Sequence, residues 1–144
     1  MINKEAIMKL GLTYKEFFIW GDDIEYTLRL NKYFGPGYAI GKSIVIHKRK
    51  DARNISLIEE SNPNRIEMYK YKYRNDILLH EYNGIGRNVI LIVKQIYDCI
   101  SILLTSDNLK YKKFKIAIVG TLNGIFNSKL KKKFKNRISN VENY

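Results

Sequence analysis

Two adjacent carboxylates, Asp22 and Asp23, follow directly on an aromatic run, Phe17, Phe18 and Trp20, within FFIWGDDIEYTLRL, residues 17–30. A carboxylate placed to accept a proton beside aromatic faces can hold a sugar or another ring over a general base; the same residues can also simply build a core. The pair falls where a helix should begin. Asp22 suits the N-cap, and Glu25 three residues on completes a D-x-x-E capping box. Free N–H groups and the macrodipole at that helix end favour negative charge, which offsets the repulsion between neighbouring aspartates. A second chemical group, His47, lies 24 residues beyond Asp23 at the end of SIVIHK. Its imidazole is of a type that ligates divalent cations. Lys48 and Arg49 beside it read as a solvated strand end, and His80 as a helix residue without a site role.

The elements that must position these groups are legible in outline. NKEAIMKL, residues 3–10, reads as a short helix stopped by Gly11. A helix over 23–33 follows the aspartates, with Glu25 and Arg29 as an i,i+4 ion pair, and Gly35, Pro36 and Gly37 end it. YAI and SIVIHK, rich in β-branched residues and separated by Gly41, predict two short strands. Asn62 and Pro63 then open a helix over RIEMYKYKYRNDILLHEY. Its tyrosines alternate, but Ile66, Tyr69, Tyr73, Ile77 and His80 keep a helical 3–4 spacing. Gly84 and Gly86 interrupt it before NVILIVKQIYDCISILLT. Lys94, Gln95 and Asp98 fall in the middle of that apolar run, so it predicts a packed or interface-lying helix and not a span. Ser106, Asp107 and Asn108 open a last segment, LKYKKFKIAIVGTLNGIFNSKLKKKFK, in which lysines alternate with apolar residues. The expected class is α+β, mostly helical, with residues 1–50 carrying the candidate site and 51–144 a helical region ending in a basic amphipathic tail.

Charge is concentrated in that tail. The chain carries +12, yet ten basic and no acidic residues lie between Asn108 and Val141, leaving sixteen basic against fourteen acidic groups elsewhere. Such a tail suits anionic lipid or another polyanion. Its apolar residues Phe114, Ile116, Ile118, Val119, Leu122 and Phe126 suggest a peripheral position on the inner face of a membrane. The single cysteine, Cys99, reads as a small buried thiol, and MINKEAIMKLGLTYKEF lacks the pattern of a secretory signal, so the expected compartment is the cytoplasm.

The combination FFIWGDDIEYTLR, then GY and SIVIH, resembles the acceptor side of the catalytic domain in family 2 glycosyltransferases, in particular the rhamnosyl- and galactofuranosyltransferase-like branch. YKYRNDI, residues 71–77, is similar to the Y-Y-x-x-R-N segment of that branch, and IVGTLNGIFNSKLKKKF to its basic C-terminal end. The resemblance implies a partial GT-A-type domain followed by helices. It implies an inverting, hexosyltransferase-type reaction in which a sugar passes from a nucleotide-sugar donor to a cell-surface glycan or a lipid-linked acceptor. It further implies Asp23 as the catalytic base with Asp22 orienting it, Trp20 and Phe18 against the acceptor, and His47 as a ligand to Mn²⁺ or Mg²⁺.

The pattern of that family also includes a nucleotide-binding half with a D-x-D motif, and no D-x-D occurs in this sequence. Gly84-Ile85-Gly86 lacks the strand and third glycine of a phosphate-binding loop. The expectation is therefore a C-terminal portion that is inactive alone and meets its donor through a separate half. A different class stays open: a non-catalytic basic protein that binds an anionic membrane, or single-stranded nucleic acid through the tyrosines of YKYKYR. Asp22, Asp23 and Glu25 would sit awkwardly in a nucleic-acid groove.

Overall fold

A computed structural model describes residues 2–38, 40–44, 46, 48, 56–80, 85–105 and 108–142. Every regular element among them is helical: α1 (Lys4–Leu10), a 3₁₀ turn (Lys15–Phe17), α2 (Asp22–Tyr33), α3 (Pro63–His80), α4 (Ile85–Leu104), α5 (Lys110–Phe126) and α6 (Ser128–Glu142). This overturns the expected α+β class and its partial GT-A-type domain with short strands. None of the described residues of YAI and SIVIHK is in a strand. Tyr38, Ile40, Ile44 and Ile46 are instead exposed, Ile44 at 84% and Ile46 at 80%. β-branched composition forms a strand only where a neighbouring strand and a core face receive it. Ala39, Val45 and His47 of those segments lie outside the described residues.

The stop of α1 and the start of α3 agree with the sequence signals, whereas Gly86 falls inside α4 and Leu109 occupies the cap position of α5. Asn3 caps α1 by accepting from the Glu5 N–H at 2.9 Å, and Gly11 ends it at φ 73°, a left-handed conformation that glycine adopts without strain. Asn62 Oδ1 accepts from the backbone of Asn64 at 3.0 Å, just ahead of Pro63 at the first position of α3. Ile66, Tyr69, Tyr73 and Ile77 are buried along one face of that helix. At the start of α2 the boundary shifts by one residue. Gly21, at φ 93°, occupies the cap position, so Asp22 and Asp23 are both in the first turn and Asp22 is not the N-cap. The basic tail also differs: it is two helices separated at Asn127, whose Oδ1 accepts from the Leu130 N–H at 3.0 Å and starts α6.

α3 is the centre of the assembly. On one side it receives α5, and the approach is close because α5 presents Gly120 and Gly124. A β-carbon at Gly120 would lie 2.7 Å from the Lys70 carbonyl oxygen, and one at Gly124 would lie 2.9 Å from that of Arg74. Tyr69, Tyr73, Ile102, Ile116 and Ala117 form the core at this crossing. On the other side α3 meets the chain before α2: Leu78 and Leu79 pack with Tyr14, Phe17 and Phe134 of α6. Tyr14 and Phe134 meet edge-on, with centroids 5.3 Å apart. Lys113, counted with the basic tail from sequence, is buried, and its Nζ donates to the Ile58 carbonyl at 2.8 Å.

Candidate active site

The aspartate pair stands on a short, strongly bent backbone. Phe18 and Trp20 both have positive φ, 62° and 58°, and Gly21 follows at 93°. Two non-glycine residues in that region cost of order 1–3 kcal/mol each, so something must hold them. The holder is Asn75 of α3. Its buried side-chain Nδ2 donates to the carbonyl oxygens of Phe17 at 2.9 Å, Ile19 at 3.1 Å and Trp20 at 2.8 Å. Arg74 supports it: Nε and Nη2 donate to Asn75 Oδ1 at 3.0 and 2.8 Å, and Nη2 also donates to the Glu16 carbonyl. With its oxygen fixed by Arg74, the Asn75 amide can only present its N–H groups to the loop. Gly21 packs against the same helix, where a β-carbon would come within 2.9 Å of Leu79 Cδ1.

Aromatic contacts complete the loop. The Trp20 ring lies 4.8 Å from that of Tyr69, and the Phe18 ring 5.0 Å from that of Tyr71. The Arg74 guanidinium sits over the Tyr71 ring at 5.0 Å. Trp20 is half-buried against the core, whereas Phe18 is 66% exposed. Of the two residues expected at an acceptor, Phe18 is thus the more accessible and Trp20 is partly committed to packing.

On α2, Asp22 is half-buried and Asp23 exposed. Asp23 Oδ1 accepts from the Ile24 N–H at 2.9 Å, and its second oxygen meets no donor among the described residues. Asp23, Ile24, Thr27 and Leu28 border a shallow depression of about 220 Å³. Glu25 turns inward and makes the expected pair with Arg29, Nε to Oε1 at 2.8 Å and Nη2 to Oε2 at 3.0 Å, with both side chains buried. Arg29 also donates to the carbonyls of Leu10 and Leu12, so the end of α1 is tied to α2 through this pair. A more enclosed cavity of about 270 Å³ is lined by Tyr69, Lys72, Tyr73, Asp76, Lys94 and Asp98. There the Tyr73 hydroxyl donates to Asp98 Oδ2 at 3.0 Å. Burial and the neighbouring Asp98 charge push the Tyr73 hydroxyl far above the ordinary tyrosine range.

The structure therefore brings together the aromatic loop, the aspartates and the Arg74–Asn75 pair. His47, the expected metal ligand, lies outside the described residues. Among those residues no three His, Cys, Asp or Glu side chains converge on a common point, and two neighbouring aspartates on one turn do not complete a donor set for Mn²⁺ or Mg²⁺. The sequence assigns Arg74 and Asn75 no role in the site, although YKYRNDI carries part of the resemblance; a side chain that serves a loop 58 residues away leaves no periodic trace. Compared with known protein families, curated proteins and solved structures, the chain matches none.

Proposed function

We propose that this chain supplies the acceptor side of an inverting glycosyl transfer, with Asp23 as the general base. The observation that carries the reading is the clamp of Asn75 on the carbonyls of Phe17, Ile19 and Trp20, because it joins the two segments on which the glycosyltransferase resemblance rests and leaves Asp23 exposed on a fixed turn. A base must be positioned before it is useful, and a strained loop held by a buried amide supplies that positioning. In the reaction the acceptor hydroxyl attacks the anomeric carbon, and Asp23 takes its proton as the new bond forms. The bond to the nucleotide diphosphate breaks, and the leaving group keeps the electron pair. Phe18, beside Tyr71, offers a ring face to the acceptor. Asp22 adds a second negative charge to the same helix end, and Mn²⁺ or Mg²⁺ belongs to the donor side of the proposal.

The donor is bound by a separate nucleotide-binding half. Alone, the chain should bind nucleotide sugar weakly or not at all, and sub-millimolar metal-dependent binding by calorimetry would overturn that part. Reading the DNA upstream of Met1 for a half with D-x-D identifies the partner for reconstitution, in which Asp23→Asn should abolish transfer. Of the YKYKYR tyrosines offered for base stacking, Tyr69 and Tyr73 are buried and Tyr71 is half-buried against Phe18 and Arg74.

A further inference from the structure

α4 leaves a long apolar face uncovered. Val89, Val93, Ile96, Ile100 and Leu103 recur at spacings of four and three, and all are exposed. Ile90, Tyr97 and Leu104 widen the stripe at intervals of seven, Leu104 being 83% exposed. α5 extends it with Val119, Leu122 and Phe126. Between the two helices runs a groove of about 330 Å³ whose lining includes Ile92, Ile96, Cys99, Ile118 and Leu122. A continuous exposed surface of this kind marks a place where something docks.

We infer that this face is a seat on an anionic membrane surface, with α4 and α5 lying in the plane of the interface. Charge selects the occupant. Lys94, exposed, lies four residues after Ile90 and three before Tyr97, on the margin of the α4 stripe. Lys115 and Tyr111, also exposed, continue the α5 face of Val119 by one and two turns. Lysines and tyrosines edging an apolar face are the pattern of a helix that sinks its apolar side among acyl chains and leaves amines at the headgroups. α5 has no acidic residue, and Asp98 of α4 faces inward to the Tyr73 hydroxyl. A second copy docked on the same face would bring more lysines and no outward carboxylate from α4 or α5 to meet them, whereas anionic lipid answers both the apolar surface and the charge. No helix among the described residues is long and apolar enough to cross a membrane, so the contact is lateral. The seat differs from the one expected on the tail alone: Ile116 and Lys113 are buried, and the larger apolar surface belongs to α4. It stands independently of the glycosyl-transfer reading.

The test is co-sedimentation of the full chain with phosphatidylcholine vesicles, with and without about 30% phosphatidylglycerol. Binding should need the anionic lipid and should fall by about tenfold as salt rises from about 0.1 to about 1 M, where the Debye length shortens from about 10 to about 3 Å. Ile96→Glu with Ile100→Glu should abolish it while helix content by circular dichroism is kept. Should those glutamates cost helix content, Lys94→Glu with Lys115→Glu carries the same decision by removing the anionic preference. Equal binding to neutral vesicles, absence of binding, or a dimer in ultracentrifugation that the Ile96 and Ile100 changes dissolve would each overturn the inference.

Discussion

The side-chain amide of Asn75 lies 2.8 Å from the carbonyl oxygen of Trp20, 55 residues earlier in the chain. That bond and its two companions on Phe17 and Ile19 are what fix the turn leading into Asp22 and Asp23. Asn75→Ala removes this donor from the part-buried carbonyls of Ile19 and Trp20, while Phe17 keeps the bond from the Ile19 N–H, and should cost about 3 kcal/mol, given about 1–3 kcal/mol for each group left unsatisfied. Trp20 is the only tryptophan, so the loosening should also appear as a red shift of its emission. Urea unfolding followed by fluorescence reads both.

Gly120 should not tolerate alanine. In an ordinary helix interior glycine to alanine stabilises by about 1 kcal/mol. Here the added carbon would fall 2.7 Å from the Lys70 carbonyl oxygen and 2.8 Å from Tyr73 Cβ, both on a packed helix. Gly120→Ala should therefore destabilise by about 2 kcal/mol, in the range of overpacked cores. Thermal melts of Gly120→Ala beside wild type decide the sign.

Glu25→Gln leaves the buried Arg29 guanidinium without its counter-charge and with one acceptor oxygen in place of two. Breaking one member of a buried pair costs about 3–5 kcal/mol. Because Arg29 also holds the carbonyls of Leu10 and Leu12, the loss should release α1, and proteolysis near Gly11 should become faster.

Alkaline solution should unfold the protein through Tyr73. Its folded-state pKa is raised by burial and by Asp98, so the fold holds the neutral hydroxyl. Stability from this group is complete below the unfolded value of about 10 and is lost as pH rises above it. Tyr73→Phe should flatten the alkaline limb of a stability-against-pH curve. At the acid end the sign reverses. Partial burial raises the Glu16 carboxyl, but the Lys133 ammonium bonded to it outweighs that and holds the group below its usual range. The α6 contact should therefore weaken as pH falls through that lowered value, and Glu16→Gln should remove the dependence.

Local signals carried the helices: Gly11 stopped α1, Asn62-Pro63 started α3, and the 3–4 spacing from Ile66 to Ile77 named its buried face. The Glu25–Arg29 pair was legible because its partners are one turn apart. Ile40, Ile44 and Ile46 misled, since strand preference means little without a partner strand, and these side chains stand exposed. The tail read as one segment because Asn127 is a subtle break, neither Gly nor Pro. Lys113 read as solvated because nothing in its neighbours announces the Ile58 carbonyl 55 positions away.

The measurement that tests the central claim most directly is sugar transfer by this chain reconstituted with a nucleotide-sugar-binding half, comparing wild type with Asp23→Asn. A general base contributes about 10²- to 10⁴-fold, so the variant should lose at least about a hundredfold in kcat. Its acceptor KM and melting temperature should stay near wild type, because Asp23 is exposed and Asn keeps the bond from the Ile24 N–H. Transfer by Asp23→Asn at the wild-type rate would contradict the assignment of Asp23 as the base.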